Sequence, residues 1–260
     1  MNEVAVAIQN DNKNVTPIET IDAIKKAGFK NAFVQWYNED WACSQQEQLD
    51  YARKVGLNII CAHLGYKKVN EIWRDNETGE AFVERYKNDL RICKKNNISL
   101  VVMHLIGTNP EIICSEIGLR RIKEIVDYAE ELGIKIAFEN TKRYEYLEYV
   151  FSHLDNSNIG LCYDSGHCHI FFDDKFDYEF FKNRIFTVHL HDNDKSDDLH
   201  LMPFDGTIDW EHVMHQLKEC HFEEPITLEL TYRYHYLEMS IEEFYQKGYE
   251  VANQLAKMMK

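Results

Sequence analysis

Residues 119–139 read LRRIKEIVDYAEELGIKIAFE. Leu119, Ile122, Val126, Ala129 and Leu132 recur at three- and four-residue spacings, which lays one apolar stripe along a helix. Gly133 then offers the left-handed turn that commonly ends a helix, and Ile134–Phe138 follows as a short run of largely apolar residues. A strand without polar alternation is one buried on both faces. An acid, Glu139, stands directly at its end.

The same cadence recurs on either side. Gly28 and Gly56 also separate a helical pattern from an apolar run. Thr16-Pro17-Ile18-Glu19 and Ser44…Glu47 have the residue types of capping boxes, so they predict helix starts. Ile241, Phe244, Tyr245, Gly248, Ala252 and Leu255 stripe a last helix. The apolar runs are Val4–Ile8, Asn31–Trp36, Leu57–Ala62, Leu100–His104, Ile134–Phe138, Ile159–Tyr163, Ile185–Leu190 and Ile226–Leu230. Eight strand–helix units without a linker predict an α/β fold, a single (β/α)8 TIM barrel spanning residues 1–260 as one domain. An open doubly wound sheet would call for a glycine-rich phosphate loop, and neither GxGxxG nor GxxxxGK[ST] occurs. Residues 63–97 and 191–225 are the longest intervals between strands and are expected to overhang one face.

Composition narrows the partners. The 260 residues are 45% hydrophobic with 4 Pro and 11 Gly, enough for a large core and too few breakers for disorder. Lys+Arg 29 against Asp+Glu 44 gives −15, which disfavours nucleic acid and anionic membranes as partners. No stretch approaches the roughly 18–20 uncharged residues of a membrane span. The seven cysteines form no CxxC pair and read as reduced thiols of a cytoplasmic protein.

Active sites of such barrels lie at the C-terminal ends of the strands. His63, His104, Glu139, Asp164, His189 and Glu229 stand at six of those ends. Converging carboxylates repel unless a cation lies between them, so this rim predicts a bound divalent ion. A mixed oxygen and nitrogen shell suits manganese, cobalt, zinc or iron(II). Asp164-Ser165-Gly166-His167, His189-Leu190-His191-Asp192-Asn193, Asp198-Leu199-His200 and the turn from Pro203 to Trp210 add polar groups at the same rim.

Together with Phe138-Glu139-Asn140, these segments resemble the xylose-isomerase-like barrel superfamily, and within it the sugar phosphate isomerase/epimerase group. The resemblance implies one divalent metal ion (manganese, zinc or cobalt) on Glu139, Asp164, His189 and Glu229. It further implies proton exchange by Glu139 and Glu229, and substrate-hydroxyl contacts from His167 and Glu145. Lys195 stands where those enzymes carry an arginine, and Phe204 replaces the first glycine of their Pro-Gly-Asp-Gly turn. The implied reaction removes a proton α to a carbonyl through a metal-stabilised enediolate. His63, His104, Arg233 and Trp36 are further candidate contacts to a small sugar or sugar phosphate. Asp198 and His200 are read as additional metal ligands or as supports for them, which leaves room for more than one ion. The related type-IV apurinic endonucleases form the rival, because their multi-zinc pattern matches His63, His104, Glu139, Asp164, His167, His189, Asp198, His200 and Glu229. A dehydratase or lyase on the same scaffold is a closer neighbour. A homo-oligomer is compatible with the exposed aromatics.

Overall fold

Helix boundaries follow from the capping chemistry. In the computed structural model, which describes residues 3–9, 14–36, 44–107, 113–172 and 176–260, Thr16 caps helix α1 (Pro17–Ala27) and Ser44 caps α2 (Gln45–Lys54). Both make reciprocal capping boxes, with Glu19 and Glu47. Gly28 (φ 110°) and Gly133 (φ 68°) close α1 and α4 (Glu116–Leu132) in the left-handed region. Helices α3 (Glu77–Lys95), α5 (Tyr144–His153), α6 (Ser165–Phe171), α7 (Trp210–Glu219) and α8 (Ile241–Met258) complete the set.

The strands are β1 (Val4–Ile8), β2 (Asn31–Trp36), β3 (Asn58–Leu64), β4 (Leu100–Met103), β5 (Lys135–Glu139), β6 (Ile159–Asp164), β7 (Ile185–His189) and β8 (Ile226–Leu228). Their hydrogen-bonded order is β7-β6-β5-β4-β3-β2-β1-β8, with parallel pairing throughout. A parallel bridge between Leu190 and Leu228 joins the two outer strands at their C-terminal ends. The fold is therefore a (β/α)8 barrel, and its seam lies between β7 and β8.

Inside the barrel, Ala7, Phe33, Cys61, Val102, Ala137 and Cys162 pack as a layer of their own. Side chains alternate along a strand, so adding two to each number reaches the next inward position. That operation gives Gln9, Gln35, His63, His104, Glu139 and Asp164. The barrel core thus places the polar rim directly above itself.

The interval after β3 packs down by a buried guanidinium. Arg121, 1% exposed, donates to the carbonyls of Ile72 and Asn76 and pairs with Glu80, which pins the 3₁₀ turn Val69–Trp73 onto α4. Among the described residues, Cys61, Cys93, Cys114, Cys162, Cys168 and Cys220 form no disulfide, while Cys43 lies outside the described residues. No helix among the described residues is long and apolar enough to cross a membrane.

Candidate metal centre and cavity

Glu139 ends β5 with both oxygens aimed into the barrel mouth, and it is 1% exposed. Its Oε2 lies 3.2 Å from His63 Nε2, 3.4 Å from His104 Nε2 and 3.3 Å from His189 Nδ1, while Oε1 lies 3.1 Å from His167 Nδ1. Burial pushes this carboxyl up, but the surrounding imidazoles of His104, His167 and His189 outweigh it and hold its pKa well below the usual value.

Asp164 ends β6 and caps α6, its Oδ1 accepting the His167 amide at 2.6 Å and its Oδ2 lying 3.1 Å from His191 Nε2. Asn140 holds this strand end by donating to the Asp164 carbonyl and accepting its amide. His189 ends β7, stacks on Phe33 with centroids 4.6 Å apart, and lies 3.5 Å from Glu229 Oε2. Glu229 follows β8, and its Oε1 accepts from the Gln35 amide at 2.8 Å. Ligand atoms of Glu139, Asp164, His189 and Glu229 all lie within 4.8 Å of one another.

Asp198 and His200 arrive from the loop after β7. His200 donates from Nδ1 to the Glu229 carbonyl at 3.0 Å, and its Nε2 lies 3.3 Å from Asp198 Oδ2. The same Asp198 oxygen is 3.4 Å from His167 Nε2. Burial works against charge on His200, yet Asp198 raises its pKa to about 10, and the two imidazoles hold Asp198 far below the ordinary carboxyl range. Among the further triads with ligand atoms within the same 4.8 Å reach are His63, His104 and Glu139, and His191, Asp198 and His200.

A cation fits this donor set. His189 Nδ1 and Nε2 and His167 Nδ1 are buried without an aligned hydrogen bond, although carboxylate oxygens stand 3.1–3.5 Å from the Nδ1 atoms. The His63 Nδ1–H donates to the Leu64 carbonyl at 3.0 Å, which turns the lone pair of Nε2 toward Glu139 and His104. Atoms that face one another at ionic distance but off the hydrogen-bond line are arranged for a positive charge between them.

The cluster floors a cavity of about 280 Å³, walled also by Gln9, Tyr66, Thr231 and Arg233. Tyr66 stacks on His104 at 4.2 Å. Arg233 donates to the Asp198 carbonyl at 2.9 Å. Three residues assigned to the substrate by sequence do not line this cavity. Glu145 sits in the first turn of α5 and pairs with Arg143. Lys195 is exposed in a turn with φ 68°, and Trp36 is 5% exposed within the apolar core. Phe204 takes φ 76°, a left-handed conformation that glycine adopts most readily. Asp192 holds that turn by accepting from the amides of Phe204 and Ile208 and from the Trp210 indole.

A family model for xylose isomerase-like TIM barrels matches residues 21–255. The chain belongs to that family. Among curated proteins, it is 26% identical over 193 residues to an inosose isomerase of Bacillus subtilis, a match covering 66% of this chain and 68% of the relative. Two solved structures share the fold across nearly the full length. One is an IOLI protein with a bound zinc atom (TM-score 0.80, 19% identity, 98% of each chain), and the other is a D-tagatose 3-epimerase-like protein (TM-score 0.76, 19% identity, 99% of this chain and 98% of that one).

Proposed function

We propose that this xylose isomerase-like barrel is a divalent-metal-dependent sugar isomerase or epimerase that moves a proton on the carbon beside a carbonyl. The observation that carries the reading is the convergence of Glu139 and Glu229, from β5 and the end of β8, on one buried point shared with Asp164 and His189. The inosose isomerase relative agrees with that chemistry.

Glu139, Asp164, His189 and Glu229 would hold the ion: manganese, zinc or cobalt. Such an ion polarises a carbonyl and stabilises the negative charge that develops when its α-proton leaves. The chain's own groups handle the proton. Glu139 and Glu229 approach the cavity floor from different strands, so one takes the proton from one face of a seated sugar and the other returns it. Gln35 orients Glu229, and the His104–Tyr66 stack closes one wall of the cavity. His104, His167 and Arg233 supply donors for hydroxyls at that wall, and the His63 Nε2 lone pair supplies an acceptor.

The test is exchange of the α-proton with deuterated water, followed by NMR on the metal-loaded chain with free ketoses and inosose. Glu139→Gln and Glu229→Gln are each expected to keep the fold and lose about 10²- to 10⁴-fold in rate. Wild-type exchange in either variant overturns the assignment.

A second reading rests on the additional triads around His104 and His200, which would let the rim carry more than one ion and hydrolyse a phosphodiester. Three zinc ions per chain together with cleavage of abasic duplex would favour it. One ion and no cleavage favours the isomerase.

A further inference from the structure

Away from the ligand cluster, the cavity wall carries a polar pair that proton transfer does not use. Gln9, just past β1, and Thr231, beyond β8, both line the cavity, and the Gln9 amide donates to the Thr231 hydroxyl at 3.1 Å. Gln9 is 9% exposed, and its Oε1 is buried without a hydrogen-bond partner among the described residues. Turning the carboxamide over moves the deficit without removing it. Thr231 would then donate to Oε1, and Nε2 would be the atom left bare. A buried amide atom left unpaired costs about 1–3 kcal/mol, so native proteins rarely retain one without a use. The backbone does not explain it either, because the Gln9 carbonyl is already occupied by the Tyr245 hydroxyl at 2.9 Å.

We propose that Gln9 and Thr231 form a hydroxyl subsite that takes the uncharged, polyhydroxylated end of the ligand, remote from the carbonyl. This inference rests on the sugar reading of the same cavity and adds which end the wall recognises. A hydroxyl both donates and accepts, which matches a carboxamide with one free atom beside a threonine. A phosphate monoester matches poorly. It has mainly acceptors to offer near neutral pH, and it would share the cavity with the carboxylates of Glu139, Asp198 and Glu229. Arg233 is the one lysine or arginine lining the cavity among the described residues, and it gives one guanidinium N–H to the Asp198 carbonyl.

Isothermal titration of the zinc-loaded chain with D-fructose, D-tagatose and fructose 6-phosphate tests the subsite. Gln9→Leu and, as a second variant, Thr231→Val are each expected to weaken binding of the free ketoses by about tenfold, with melting temperatures close to wild type. The phosphate ester is expected to bind no more tightly than free fructose. Unchanged ketose affinity in both folded variants overturns the subsite, as does tighter binding of the ester or no ketose binding at all. Proton exchange is followed separately. If ketoses bind in a Gln9-dependent way and never exchange, the isomerase reading falls while the subsite stands.

Discussion

Asp89 on α3 shows how a single buried carboxyl makes stability depend on pH. It is 9% exposed, and burial pushes its pKa up to about 6 against the pull of Arg85. The unfolded carboxyl titrates near ~4, so the folded chain binds this proton more tightly than the unfolded chain does. By linkage, the group's contribution is fully present below about pH 4 and is lost as the pH rises through about 6. Asp89→Asn removes that loss, and the variant is expected to be about 1–3 kcal/mol more stable than wild type at pH 7.5, with little difference at pH 4. Urea denaturation at the two pH values measures it. A variant that is equally or less stable at pH 7.5 shows that the ionised carboxylate is not under strain.

The turn from β6 into α6 couples two strand ends through a glycine. A Cβ on Gly166 would stand 2.0 Å from His191 Cε1, and His191 in turn lies against Asp164 Oδ2. Gly166→Ala therefore has to displace the imidazole that supports a proposed metal ligand, although the substitution touches no ligand itself. Losing such a support is expected to weaken zinc binding by about 10- to 100-fold while leaving the circular dichroism of the barrel intact. Competition with a chromophoric chelator reads the affinity, and an unchanged value would show that His191 is dispensable. This turn also marks how far the sequence could be read. The strands are legible because residues such as Ile136–Phe138 and Ile159–Tyr163 are buried on both faces, and acids and imidazoles stand out where those runs stop. Gln9, Gln35 and Thr231 give no such signal, because amides and hydroxyls are ordinary surface residues. Strand parity alone would have found the two glutamines, since each lies two positions beyond an inward-facing residue, Ala7 or Phe33. Glu145 was the opposite case, an acid close to a strand end that the helix geometry of α5 gives to Arg143.

Across the barrel, net charge and the buried rim act in the same direction. The chain carries −15, and Glu139, Asp164 and Glu229 place three carboxylates within a 4.8 Å circle at 0–4% exposure. Imidazoles offset that charge only by holding protons, as the raised pKa values of His167, His189 and His200 indicate. A divalent ion would relieve the repulsion without borrowing protons, and it has no equivalent site in the unfolded chain. Zinc or manganese at a thousandfold excess over its dissociation constant is expected to stabilise the native state by about 4 kcal/mol. For a chain of this size that corresponds to a rise in melting temperature of roughly 10 °C. Calorimetry before and after exhaustive chelation, with elemental analysis of the untreated protein, measures both the gain and the number of ions. Moderate salt should recover part of the loss in the chelated form by screening its surface charge, but not the part that arises inside the cavity, where screening is weak. Identical melting curves with and without chelator, from protein that elemental analysis shows to have carried an ion, would mean that the four residues do not form a site coupled to folding.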